Sequence, residues 1–242
     1  MKKTLIFIIS LLIVSCSKNA PDLMELAQLS LDQNEEDKAI KNLELLINKF
    51  PKDSLASLAQ YKLVNIYKNW KHDPEMVSNA LDKTVKNYPG TVQAKQAAKE
   101  IAGFPEWIIN KAETLRKRKL TKESINNLSY MIINYADNLL AAKAQYIIGD
   151  IYMNDLRDFE KALAEYRLVL NDHKGSKEEA LAQFMIGYIY ANVIKDFDKA
   201  RIEYQVFLDR FPQHELYPSV KFEINHLGKD INEIPALKHI TS

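Results

Sequence analysis

The sequence predicts an all-α chain, an α-solenoid of about five consecutive helical hairpins, with an extra helix after the second and a capping helix at the C-terminal end. Three observations predict it. The first is an internal period: Gly149 and Gly187, Phe159 and Phe197, and Tyr166 and Tyr204 are each separated by 38 residues. The second is the recurrence of Tyr146, Gly149 and Tyr152, then Ala162, Tyr166 and Leu170, at steps of three and four, the period of a helix and not of a strand. The third is the placement of proline. None occurs between Glu106 and Phe211, and Pro51, Pro89 and Pro212 sit where units end.

The elements follow in order. Lys2 and Lys3 precede an apolar run from Thr4 to Ser15, a pattern that fits a signal peptide over 1–15 and is too short to cross about 30 Å of hydrocarbon. Ile13-Val14-Ser15-Cys16 closes it and resembles the lipobox of bacterial lipoproteins. The resemblance implies lipidation of Cys16, the chain's single cysteine: diacylglycerol goes onto sulfur before cleavage frees the α-amine for a further acyl chain. Two or three chains would anchor the protein stably where one would not. The alternative is an ordinary secretory signal with a chance Cys. Ser17 stands where an Asp would favour inner-membrane retention, so the resemblance places the protein on the outer membrane, facing the periplasm. Residues 16–22 read as a tether.

An aromatic column, Phe50, Tyr88, Tyr135, His173 and Phe211, closes five units at spacings of 38, 47, 38 and 38. The units are 21–51, 54–89, 105–136, 141–174 and 179–212. The wide spacing holds an additional helix over Thr91 to Ala102, stopped by Gly103 and Pro105. This gives a first part, 23–103, with two units and the extra helix, and a second, 104–230, with three units and a terminal helix over 216–228. Residues 231–242 form a tail.

This pattern resembles the tetratricopeptide repeat (TPR) family across nearly the whole mature chain. The small residue (Gly149, Gly187), the Tyr three later (Tyr152, Tyr190), the Ala opening the second helix (Ala162, Ala200) and the Tyr four beyond (Tyr166, Tyr204) carry the likeness. Gln60, Gln145 and Gln183 fill the column that is often Trp in the family, the period is 38 rather than about 34, and Leu26 and Asn110 make the first and third units weak matches. Another α-solenoid of hairpins is the competing fold.

Composition excludes several functions. Net charge is +1, and beyond Lys2 and Lys3 acids exceed bases by a single charge, unlike a nucleic-acid binder. No HExxH, P-loop, GxSxG or GxGxxG motif occurs, and the five histidines show no metal-ligand spacing, so no enzyme, metal or cofactor is expected. Arg116-Lys117-Arg118-Lys119 is the one basic run. It suits an anionic lipid surface or an acidic partner, or else an ordinary solvated helix end.

Function is therefore expected on a surface. Stacked TPR hairpins curve, with the first helix of each on the concave side. Residues four apart on those helices give the lines Tyr61-Asn65-Asn69, Trp107-Lys111-Leu115, Tyr146-Asp150-Asn154 and Phe184-Tyr188-Asn192. Such a ladder of aromatics and asparagines suits an extended peptide. The other reading is that the aromatics pack between repeats and the asparagines cap helices. Lipobox and repeats together resemble the BamD-type lipoproteins of outer-membrane β-barrel assembly. The last two units also resemble the TPR domain of CpoB/YbgF-type proteins that work with the Tol–Pal system. The resemblance implies a non-catalytic scaffold on the outer membrane that binds protein or peptide partners, an outer-membrane β-barrel protein among them. The alternatives are an adaptor in division or peptidoglycan work and, further off, an enzyme or small-molecule-binding lipoprotein.

Overall fold

The computed structural model describes residues 18–229. Cys16, the apolar run before it and the tail 231–242 lie outside the described residues. The elements are α1 (Ala20–Asp32), α2 (Glu36–Lys49), α3 (Ser54–Ile66), α4 (Pro74–Asn87), α5 (Val92–Ala102), α6 (Phe104–Lys117), α7 (Thr121–Asn134), α8 (Leu140–Ile151), α9 (Phe159–Asp172), α10 (Glu178–Tyr188), α11 (Phe197–Arg210) and α12 (Tyr217–His226). Five hairpins pair α1 with α2, α3 with α4, α6 with α7, α8 with α9 and α10 with α11. The extra helix is α5 and the capping helix is α12. The expected tether to Asp22 is shorter than the sequence suggested, because α1 begins at Ala20. Asn19 and Asp22 form a reciprocal capping box there, at 2.9 and 3.0 Å.

The chain divides into two compact units. One holds the described residues up to Lys71 together with Asn79–Ala98, and the other His72–Ser78 with Lys99 onward. The sequence placed its break at Gly103, inside the second of these. In the first unit Leu23, Ala27, Leu43, Leu46, Leu63 and Ile66 build the core. In the second, Tyr166, Val169 and Ile186 form one cluster, and Tyr204, Phe207 and Val220 another.

A left-handed residue ends the first helix of every hairpin. Asn34, His72, Lys119, Arg157 and Lys195 have φ between 53° and 64°, and they fall at the same 38, 47, 38 and 38 spacing as the closing aromatics. Two closures lead to it. In the first and third hairpins Glu35 N–H donates to Ser30 O at 2.8 Å and Leu120 N–H to Leu115 O at 3.0 Å, five residues back, as in a Schellman motif. In the fourth and fifth, Asp158 N–H reaches Tyr152 O and Asp196 N–H reaches Tyr190 O, both at 2.9 Å and six back. A π turn makes the difference: Tyr152–Leu156 after α8 and Ile189–Ile194 after α10, with Tyr67–Lys71 after α3 in the same place. Each π turn adds a residue, so upstream of it the fourth hairpin runs 37 rather than 38 residues ahead of the third, as the accepting carbonyls of Leu115 and Tyr152 do. In that register Ile109 and Glu113, rather than Trp107 and Lys111, match Tyr146 and Asp150.

The second helices start on caps that explain the repeated Asp-Phe-x-Lys-Ala. Asp158 accepts from Lys161 N–H at 3.1 Å and Asp196 from Lys199 N–H at 3.0 Å. The same lysines pair with those carboxylates at 2.8 and 2.9 Å and lie over the Tyr152 and Tyr190 rings. The lysine side chains hold both aspartate pKa values below the usual range. The following alanines, Ala162 and Ala200, are fully buried, as are Ala39, Val77 and Ser124 in the same column.

Candidate functional site

The close approach of paired helices depends on glycine. A Cβ on Gly149 would lie 2.7 Å from Tyr166 Cε1, and one on Gly187 2.5 Å from Tyr204 Cδ1. Both tyrosines are wholly buried, and among the described residues neither hydroxyl has a hydrogen-bond partner. Burial drives both phenols far above their ordinary pKa.

The glutamine column has a structural reason that sequence alone did not supply. Each glutamine is buried and donates to the second helix of its hairpin twenty residues on. Gln60 reaches Ala80 O at 3.4 Å, Gln145 reaches the Glu165 carboxylate, and Gln183 reaches Glu203 at 2.7 Å through Oε2 and 3.0 Å through the backbone oxygen. A Trp could not make these bridges. Glu203 also receives Arg167 of α9, and Glu179 receives Arg210 as well as Gly175 N–H. The constant offset of twenty was a readable signal for these pairs.

The ladder divides between the two units. In the first, Tyr61 is half-buried, and Asn65 and Asn69 are exposed on α3 and its π turn. In the second, α6, α8 and α10 run side by side and carry the remaining lines. Trp107 is half-buried and stacks on Phe104 at 5.1 Å. Tyr146 leans on Tyr166 at 5.4 Å and Phe184 on Tyr204 at 6.1 Å, so these aromatics are partly spent inside their own hairpins. Tyr188 touches Phe184 at 6.2 Å and stays 36% exposed. Asn69, Asn154 and Asn192 all sit on π turns and are exposed. They do not cap backbone groups among the described residues; Asn154 donates to Asp150 at 2.6 Å.

Asp150 is not free. Arg116 of α6 donates to its Oδ2 at 2.6 Å and to the Asp155 carboxylate, and Lys119 lies 3.8 Å from Asp155. Lys111 has partners too, and Lys143 meets Glu113 at 3.3 Å. Burial opposes the Arg116 charge, but the two aspartates outweigh it and raise its pKa. Burial, with Asp150 and Glu178, pushes Tyr146 up to about 12. Glu113, Arg116, Lys119, Asp150 and Asp155 line a cleft of about 510 Å³ between α6 and α8. The basic run therefore has two parts: Arg116 is held in the cleft, while the Lys119 side chain remains 83% exposed. Among the described residues, no group of His, Cys, Asp and Glu is arranged to hold a metal, and no helix is long and apolar enough to cross a membrane.

No curated protein matches the sequence. Among solved structures, the chain is similar to a tetratricopeptide repeat protein of Parabacteroides merdae, at 14% identity over 85% of this chain and 73% of that one, with a TM-score of 0.35. It is also similar to YrrB, a TPR protein with an unusual peptide-binding site, at 18% identity over 84% of this chain and 92% of that one, with a TM-score of 0.39. The tetratricopeptide repeat family model matches residues 23–53, 143–176 and 181–214. These are the first, fourth and fifth hairpins, so the first is a better match than Leu26 suggested. The chain thus carries tetratricopeptide repeats, a protein-interaction module, and the second and third hairpins keep the same register of closing aromatic and left-handed residue.

Proposed function

We propose that this protein is a non-catalytic adaptor, anchored to the bacterial outer membrane through acylated Cys16, that holds a segment of a partner protein during envelope assembly. The observation that carries the binding role is the line Phe184-Tyr188-Asn192. It places an exposed tyrosine at the end of α10 and an exposed amide four residues on in the π turn that follows, where Tyr188 replaces the ion-paired Asp150 of α8. An aromatic gives apolar contact at low entropy cost, and an asparagine can bond a peptide backbone both ways. The lipobox-like Ile13-Val14-Ser15-Cys16 supports the anchor, and Ser17 supports the outer membrane.

The experiment is purification of the tagged full-length protein from its native membranes in gentle detergent, with mass spectrometry of what accompanies it and Cys16→Ala as control. An outer-membrane β-barrel protein that is lost in the control supports assembly work of the BamD type. Recovery of Tol–Pal or cell-wall proteins moves the role to division or peptidoglycan. Absence of any specific partner contradicts the adaptor role.

A further inference from the structure

The end of the first unit where the chain arrives has a charge character of its own. The start of α1, the α2–α3 loop and the residue after α4 meet there: Ala20 and Leu23 share a core cluster with Phe50, Leu55 and Tyr88. Ser57 donates to Gln93 at 3.3 Å, which brings the start of α5 to the same end. Lys18, Lys49, Lys52 and Lys86 are exposed on this edge, and none has an ion-pair partner among the described residues. Its two aspartates are exposed but each accepts from a backbone group: Asp22 from Asn19 N–H, and Asp53, capping α3, from Leu55 N–H at 2.8 Å. The opposite end, one helix length away, carries Asp32, Glu35, Glu36 and Asp37 beside Lys38, Lys41, Lys68 and Lys71. Its Lys38 and Lys71 are already paired, each at 2.7 Å, to Glu35 and Asp37. The unpaired positive charge of the unit thus lies where the chain begins, while acids and bases balance at the far end.

The capping box shortens the leash. Cys16 is three residues from Asn19, and three residues reach about 10 Å at full extension. We infer that the basic edge formed by Lys18, Lys49, Lys52 and Lys86 rests on anionic phospholipid headgroups, so that the opposite, charge-balanced end of this unit points away from the membrane. This rests on acylation of Cys16. Each lysine near an anionic surface contributes on the order of 1 kcal/mol, and the attraction is screened beyond about 10 Å. Acyl chains alone would hold the protein at the membrane without fixing which way the unit faces.

The test uses the full-length protein reconstituted from detergent into phosphatidylcholine vesicles with or without phosphatidylglycerol. A fluorophore is placed at Val92→Cys on the basic edge, which is 76% exposed, or at Gln33→Cys at the far end of α1. Acylation of Cys16 leaves the engineered thiol as the free one, and intact mass reports the acyl chains. With headgroup-spin-labelled lipid, the Val92 label should be quenched strongly in anionic vesicles and the Gln33 label weakly. Lys49→Glu, Lys52→Glu and Lys86→Glu together should remove at least about half of the Val92 quenching, as should high salt. Acylated protein with both labels quenched alike, or quenching indifferent to phosphatidylglycerol and to the reversals, overturns the inference alone. A protein mass without acyl chains overturns the anchoring on which it rests.

Discussion

The fourth and fifth hairpins share a skeleton and differ in what they show to the outside. Gly149 meets Tyr166 as Gly187 meets Tyr204, and Asp158 caps α9 as Asp196 caps α11. Gln145 and Gln183 bridge to glutamates twenty residues on, and both first helices close through a π turn. The residue after the glycine is Asp150 in one and Tyr188 in the other. Asp150, with Asp155, is bound to Arg116, and Tyr188 remains open to solvent. The difference teaches that a repeat has two separable sets of residues. The periodic set fixes how two helices pair. The position beside it decides whether that face is tied to its neighbour or left for a partner.

Changes to the periodic set should cost most. Gly187→Ala forces a methyl against the Tyr204 ring. After the gain in helix propensity, about 1–2 kcal/mol of stability should go, a fall of several degrees in thermal melting by circular dichroism. Gly149→Ala should behave alike, and an unchanged melt in either would mean that the ring contact does not set the helix approach. Next comes the tie between α6 and α8. Arg116→Met leaves two aspartates without their cation, which for a side chain only 24% exposed should cost about 1–2 kcal/mol. The loss should be partly recovered by adding Asp150→Asn and Asp155→Asn, and the fifth hairpin has no counterpart to lose.

A gain of under about 1 kcal/mol is expected from Arg157→Gly or Lys195→Gly, since a left-handed bulky residue is strained and glycine is not. It should appear in both hairpins, because the closure belongs to the shared set. The smallest effect separates the two glutamine-bridged glutamates, Glu165, half-buried, and Glu203, buried. Glu203 has Arg167, while the position 38 residues before Arg167 is Ser129 and brings Glu165 no cation. Burial raises the Glu165 pKa against the opposing Gln145 hydrogen bond. Folding thus favours the protonated form relative to the unfolded chain, and the stability this contributes is complete below the ordinary glutamate pKa and fades as pH rises through the raised folded value. Glu165→Gln should therefore raise the melting temperature at pH 7 and lose that advantage near pH 4. An equal gain at both pH values would assign the effect to packing.

Much of the skeleton was legible because it is periodic. Glycine, tyrosine, alanine and the closing aromatic recur at fixed distances, and distance is what a sequence states directly. The left-handed column was hidden because Asn34, His72, Lys119, Arg157 and Lys195 share a backbone angle but no residue type, and none is the glycine that usually marks it. The π turns were hidden for the same reason, although the 38-residue period and the asparagines on them were visible traces. The ladder was half legible. The sequence put Tyr146, Asp150, Phe184 and Tyr188 on matching faces, yet only the packing shows that Arg116, 34 residues before Asp150, occupies one of them.

The most direct test of an open face on α10 is to compare two double variants of the full-length protein by native-membrane purification and by melting. Tyr188→Ala with Asn192→Ala should abolish partner recovery while changing stability by less than about 1 kcal/mol. Asp150→Asn with Asn154→Ala should loosen the α6–α8 tie and leave the partner bound. Retention of every partner by the Tyr188 and Asn192 variant would contradict the assignment of this face to binding.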